Sequence, residues 1–345
     1  MKIRSPFRCT LGLSVAAALL AGCGGSQPPI VATGAVAPTA AVAAHADRDK
    51  SWMDSSAGRI KRLLYVSNEF YGNVYVYNFD TGAEVGILTG FEGPQGQCVD
   101  AAGDVWIADS LQSTGYYTGR IVEYQHGATT PKEILTGYGL PTSCAVDPKS
   151  GDLAVVNSGG GITIFKPSGS LTNFVSPECQ YMGSPGFDDQ GNLYVEGWSQ
   201  SYGGQICELP AHGTHLVTRK TDVSGVASDG IMWDGKHLTV EAPDQTNPDV
   251  AVIYRVVSRG ASGKLITVGR TLLRDKACGG AKAYQPFMVG KRNTPVNKEE
   301  AALIVGSNLS CGYRLDYWRY TGGKLQRHLS DAPRNPFGES VSIRE

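Results

Sequence analysis

Six short β-rich runs in this sequence end on a side chain that carries oxygen. LLYVSNE, VWIAD, LAVVN, LYVE, LTVE and ALIVGSN terminate at Glu69 (with Asn68 before it), Asp109, Asn157, Glu196, Glu241 and Asn308. Four carboxylates and two amides form an all-oxygen donor set of the kind that Ca2+ or Mg2+ prefers. If the fold gathers them around one point, the chemistry on offer is cation binding. If each stays within its own unit, the same side chains bond to nearby backbone, and a position that recurs in every unit is most simply structural.

The remaining reactive residue types do not fall into catalytic spacings. No G-x-S-x-G occurs, and YMGSPGF around Ser184 lacks both the first glycine and a strand-to-helix turn. SGGGIT, starting at Ser158, leads into a strand, so no helix N-terminus is there to hold phosphate. His126, His212, His215, His237 and His328 show no H-E-x-x-H spacing. Tyr116, Tyr117, Trp198 and Tyr202 sit in GYYTG and GWSQSYGG, loops that follow two of the β-rich runs. There they would form an apolar or carbohydrate-stacking floor.

The elements that must position these residues show in a recurring stretch. CVDAAGDVWIADS from Cys98 returns as CAVDPKSGDLAVVNS from Cys144 and as GFDDQGNLYVEGW from Gly186. Asp100, Asp147, Asp188 and Asp234 are spaced by 47, 41 and 46 residues, and each is followed by a glycine: Gly103, Gly151, Gly191 or Gly235. Two β-segments joined in this way form a hairpin, with glycine supplying positive φ and the Asp side chain accepting from the turn's own N–H groups. A third strand follows (GRIVEYQ, GITIFKP, QICELPA, AVIYRVV), then a polar turn and a fourth. Four antiparallel strands at this period make a β-propeller blade, which buries its apolar faces only against its neighbours.

From Leu63 to the end is 283 residues, which at the observed spacing gives six blades. The first unit lacks an innermost strand, and the C-terminal PFGESVSIR supplies one. Pro336-x-Gly338-x-x-Val341-Ser342 parallels Pro94-x-Gly96-x-x-Val99-Asp100. The fold class predicted is therefore all-β, a six-bladed β-propeller closed by the C-terminal strand, which removes the exposed edges of an open arc.

PQGQCVDAAGDVWIAD…GRIVEY resembles NHL-type repeats and, more loosely, the six-bladed gluconolactonase and strictosidine-synthase-like propellers; the likeness spans Leu63 to Glu345. It implies the fold, and a function among scaffold, ligand binder and hydrolase. The gluconolactonase-like enzymes hold a divalent cation near the channel with a Glu, an Asn and an Asp. Glu69, Asn157 and Glu196 or Glu241 are the nearest matches here.

The N-terminus carries a separate signal. Lys2, Arg4 and Arg8 precede a short apolar run, Leu11 to Ala21, with the layout of a secretory signal peptide. LAGC, ending at Cys23, resembles the lipobox of bacterial lipoproteins, in which that cysteine takes diacylglycerol and becomes the first mature residue. Residues 1–22 thus read as signal peptide, 23–58 as a lipidated Cys23 with an Ala/Gly/Pro-rich tether too poor in large apolar residues to order itself, and 59–345 as the propeller. The expected address is the bacterial cell envelope, lipid-anchored on the periplasmic face or cell surface. Removing the signal moves the formal charge from −1 to −4, and no long basic run survives, which argues against nucleic acid as a partner. The partners expected are the membrane, through the anchor, and a protein or small ligand, with the chain a monomer.

Beyond the lipidated Cys23, six cysteines remain in the mature chain, an even number that suits disulfides in an exported protein, and no C-x-x-C occurs. Cys98 and Cys144 read as the same innermost-strand position of adjacent blades. Cys179 with Cys207, and Cys278 with Cys311, each share a blade. Local pairing, 98–144, 179–207 and 278–311, is expected. The function expected is a binding or scaffold module, with a metal-dependent lactonase or esterase and a carbohydrate-binding surface as alternatives.

Overall fold

The computed structural model describes residues 50–344 apart from 111–117, 137–138, 228–229, 261–262, 279–282, 291–300, 313, 330–331 and 334–335. Cys23 and the residues read as signal peptide, with most of those read as tether, lie outside the described residues, as do Tyr116 and Tyr117. The strands form six antiparallel sheets of at least four strands each, one per blade. Blade II runs Pro94–Val99, Val105–Asp109, Arg120–Tyr124 and Pro131–Thr136, from the innermost strand outward. Blade III begins at Leu140–Val146, blade V at Ile231–Trp233 and blade VI at Ala283–Gly290. In blade IV the innermost strand is broken. Tyr181–Met182 and Gly186–Phe187 both pair with Leu193–Ser199, and Ser184 and Pro185 fill the gap.

Blade I is completed from the far end of the chain. Gly338–Ile343 pairs antiparallel with Arg62–Asn68, from Arg62 opposite Ile343 to Ser67 opposite Gly338. The terminal complementarity predicts this closure, and the side chains reinforce it. Gln97 of blade II donates from Nε2 to Ser67 Oγ at 2.7 Å and accepts on Oε1 from Ser340 Oγ at 2.8 Å. Only glycine fits at two points of the seam: a Cβ on Gly338 would stand 2.4 Å from Gln95 O, and one on Gly103 would stand 2.5 Å from Ile343 O.

The repeated turn has the chemistry that its residues imply. Asp100 accepts on Oδ1 from the N–H groups of Ala102 and Asp104, both at 2.9 Å. Asp188 does the same for Gln190 and Asn192, and Asp234 for Lys236 and His237. The glycines that follow have φ between +75° and +92°, a region costly for other residues.

Burial is divided among six apolar clusters, each formed by two neighbouring blades. Blades I and II share Tyr65, Val76, Val105 and Ile107, and blades VI and I share Val66, Tyr77, Val305 and Tyr317. With roughly 1.5–3 kcal/mol for each large side chain withdrawn from water, a blade is stable only between two others.

The three disulfides have the expected partners. Cys98–Cys144 joins blades II and III, Cys179–Cys207 lies within blade IV and Cys278–Cys311 within blade VI. One detail corrects the sequence reading. Cys98 lies opposite Trp106, and Cys144 opposite Val155, one step nearer the end of its second strand. Side chains alternate between the faces of a strand, so this one-residue offset is what lets the two sulfurs face one another across the blade boundary. The folded body also takes in residues ahead of position 59: Trp52–Met53 pairs with Ile87 and Gly86 as a fifth, outermost strand of blade I. Two apolar residues are too few to show a strand pattern in the sequence.

Candidate functional site

The C-terminal halves of the six innermost strands enclose a central cavity of about 280 Å3. Its side chains sort by depth along the strands. Gln97, Ser143, Ser184, Glu339 and Ser340 make a polar girdle. Beyond it, towards the turns that follow the innermost strands, the wall is mostly apolar and includes Met232, Trp233, Phe287, Met288, Val341 and Ile343, with Asp100 beside them. Among the described residues no Lys, Arg or His lines this cavity.

The girdle is held by its own hydrogen bonds. Ser143 donates to Ser184 Oγ at 2.9 Å, across the boundary of blades III and IV. The break in the innermost strand of blade IV brings Ser184 here, because Pro185 cannot donate to a ladder. Glu339, 3% exposed, has Oε1 within hydrogen-bond distance of Ser307 Oγ, whose single proton serves either that oxygen or Pro336 O at 3.0 Å. Its Oε2 has no hydrogen-bond partner among the described residues. Burial pushes the Glu339 carboxyl up to about 8, against the smaller opposing effect of Ser307. At neutral pH the group is therefore mostly an uncharged acid, able to donate one hydrogen bond and accept others.

The six oxygen-bearing residues at the second-strand ends do not line this cavity. Asp109 accepts from the N–H groups of Glu92 and Gly93 at 3.0 and 2.9 Å and pairs with Arg120 Nε at 2.8 Å. Asn308 donates to Asp316 Oδ2 at 2.8 Å and accepts from Ser310 N, and Asn157 donates to Thr163 Oγ1 at 3.1 Å. Glu69 accepts from Gln95 Nε2 at 3.1 Å, while Asn68 accepts from Tyr71 N. Glu196 and Glu241 are buried within blades IV and V. These bonds tie turns and strands together, mostly within one blade.

Two other groups of potential ligands come within 4.8 Å of one another among the described residues: Asp100–Asp104–Glu123 and Asp275–Cys278–Cys311. Lys132 Nζ already bridges Asp104 and Glu123 at 2.7 and 2.8 Å. In the second group both sulfurs are spent in a disulfide, and Arg314 pairs with Asp275. Of the loop aromatics, Trp198 and Tyr202 are exposed on blade IV, beside the equally exposed Tyr181.

The second-strand ends are not the residues that line the cavity; the innermost strands supply those. The signal was present, since aligning PFGES with PQGQC sets Glu339 against Gln97 and Ser340 against Cys98. Two polar residues at the equivalent place of adjacent innermost strands mark a girdle.

No protein-family model and no curated protein matches the chain. Solved structures share its architecture. A functionally unknown protein from Desulfotomaculum acetoxidans superposes with a TM-score of 0.52 at 14% identity, over 82% of this chain and 99% of that one. A protein of unknown function from Bacteroides caccae gives 0.51 at 13% identity, over 83% and 100%. The β-propeller domain of Myceliophteria thermophila Cps50 (Swd1) gives 0.52 at 11% identity, over 83% and 87%. At these identities the likeness shows the fold alone.

Glu339 gives the site a pH signature. Its folded-state value lies above the ordinary 4.5, so folding favours the protonated form. The group's contribution to stability is complete below that ordinary value and is lost as pH rises through about 8. Urea unfolding across pH 5–9 should show wild type losing up to about 1.4 kcal/mol per pH unit relative to Glu339→Gln. Parallel stability curves for the two proteins would show that the carboxyl titrates as an exposed one does.

Proposed function

We propose that this chain is an exported, lipid-anchored bacterial protein whose propeller is a recognition module for a small uncharged ligand seated in the central cavity. The observation that carries this reading is the central cavity itself, in which a polar girdle of Gln97, Ser143, Ser184, Glu339 and Ser340 adjoins a mostly apolar wall. A hydrogen-bonding head would meet Ser184 in the girdle, and an apolar body would lie against Met232, Trp233 and Phe287. With no cationic side chain among the described lining residues, an anion would enter without a counter-charge. The walls belong to six strands locked by neighbouring blades, so the seat is preformed and its ordering cost is met during folding.

The export reading rests on Lys2, Arg4, Arg8, the apolar run and Cys23 agreeing in position. Three cysteine pairs at bonding distance support an oxidising compartment. Among the described residues no helix is long and apolar enough to cross a membrane, and the anchor proposed is the lipid on Cys23.

Filling the cavity tests the seat. Native mass spectrometry of protein purified from its own cells should show a small non-covalent adduct on wild type that an Ala145→Trp variant, folded by circular dichroism, does not carry. An adduct retained by the filled variant would place the ligand elsewhere. A bare wild type that no uncharged compound stabilises in a thermal-shift panel would count against any such seat. Anchoring has its own test: labelled palmitate should enter wild type and not Cys23→Ala, which should leave the membrane fraction. Unlabelled wild type would overturn the lipoprotein reading.

A further inference from the structure

Blade IV carries a second surface, distinct from the cavity, where aromatic rings stand out into solvent. Tyr181, Trp198 and Tyr202 are 53%, 39% and 54% exposed. They come together by strand pairing: Tyr181 on the broken innermost strand lies opposite Trp198 on the second strand. Their ring centroids are 5.9 Å apart, with 35° between the planes. Tyr202 lies in the hairpin that follows, between Ser199 and Gly203, which pair with each other. Ser199 Oγ accepts from Tyr202 N at 3.1 Å and Gln205 Nε2 donates to Tyr202 O at 2.7 Å, so the loop is held from both sides.

The surface is rigid from beneath. The Cys179–Cys207 disulfide ties the segment before Tyr181 to the third strand. Gly197, next to Trp198, lies so close to Cys179 that a Cβ there would stand 2.6 Å from the Cys179 Cβ. Rings fixed in advance lose little freedom when something covers them.

The composition around the rings selects the occupant. Residues 179–186 and 197–205 contain no Asp, Glu, Lys, Arg or His, and they expose Gln180, Gln200 and Ser201 beside the rings. Protein interfaces join an apolar core to a polar, often charged rim, and an anionic polymer would need cations. A flat ligand with an apolar face and a rim of hydroxyls fits this set. Hexoses present axial C–H groups to an aromatic face, and their equatorial hydroxyls can bond to amide side chains.

We propose that Tyr181, Trp198 and Tyr202 form a platform for a neutral polysaccharide chain. Trp198 is the central stacking residue, Tyr181 extends the surface across the strand pair, and Tyr202 borders it from the hairpin.

Calorimetry of the full chain, disulfides intact, against cellohexaose, maltohexaose and laminarihexaose tests the platform. At least one hexasaccharide should bind. Trp198→Ala should weaken that binding tenfold or more and Tyr181→Ala several-fold, while Trp198→Phe keeps most of it. All three variants should melt as wild type does. Three results would overturn the proposal: no binding of any hexasaccharide at millimolar concentration, binding undiminished in Trp198→Ala, or binding of polygalacturonate alone. A dimer in sedimentation that Trp198→Ala dissociates would also overturn it, by making the patch a contact between copies.

Discussion

Six backbone pairs between Gly338–Ile343 and Arg62–Asn68 hold this molecule together in the literal sense that they join its ends. In a ring of blades every apolar face is covered by a neighbour, and the ring has no first or last face only if blade I is complete. Without the C-terminal strand the innermost edge of Arg62–Asn68 would be open, and the faces that blade I presents to blades II and VI would lose their alignment. The seam is correspondingly well built. Gln97 bridges Ser67 and Ser340, and His126 donates from Nε2 to Ile60 O while its Nδ1 lies 2.5 Å from Ser342 Oγ. The same strand carries Glu339, so the piece that closes the ring also brings a buried acid to the central cavity.

Within that ring, specificity of assembly comes from small repeated devices. Each Asp turn satisfies its own N–H groups and leaves the two strands it joins in a defined register. The Cys98–Cys144 bridge then fixes two adjacent innermost strands, beside a girdle that Ser143 continues to Ser184. Local bonds set the blades, burial between blades sets the ring, and the ring sets the cavity.

Much of this was legible because it is local. The Asp and Gly positions announce the hairpins, their spacing counts the blades, and the likeness of PFGESVS to PQGQCVD announces the closure. What escaped depends on contacts between distant residues. Alternation along a strand, with a bulge in the innermost strand of blade II, decides which way a cysteine faces, and composition does not record it. Asp109 looks like a metal ligand in VWIAD, yet Arg120 and two backbone N–H groups already occupy it. Tyr181 joins Trp198 through pairing across 16 intervening positions, a relation invisible until the broken strand of blade IV is seen. Trp52–Met53 is a strand only because blade I offers it an edge.

The central claim is that the terminal strand completes the first blade and thereby the ring. It is tested most directly by a chain ending at residue 335, melted in the calorimeter with and without a synthetic peptide of residues 336–345. The truncated chain should lose its cooperative transition, and the peptide should bind it and restore that transition towards the full-length value. A truncated chain that melts as the whole protein does, with no response to the peptide, would contradict the closure.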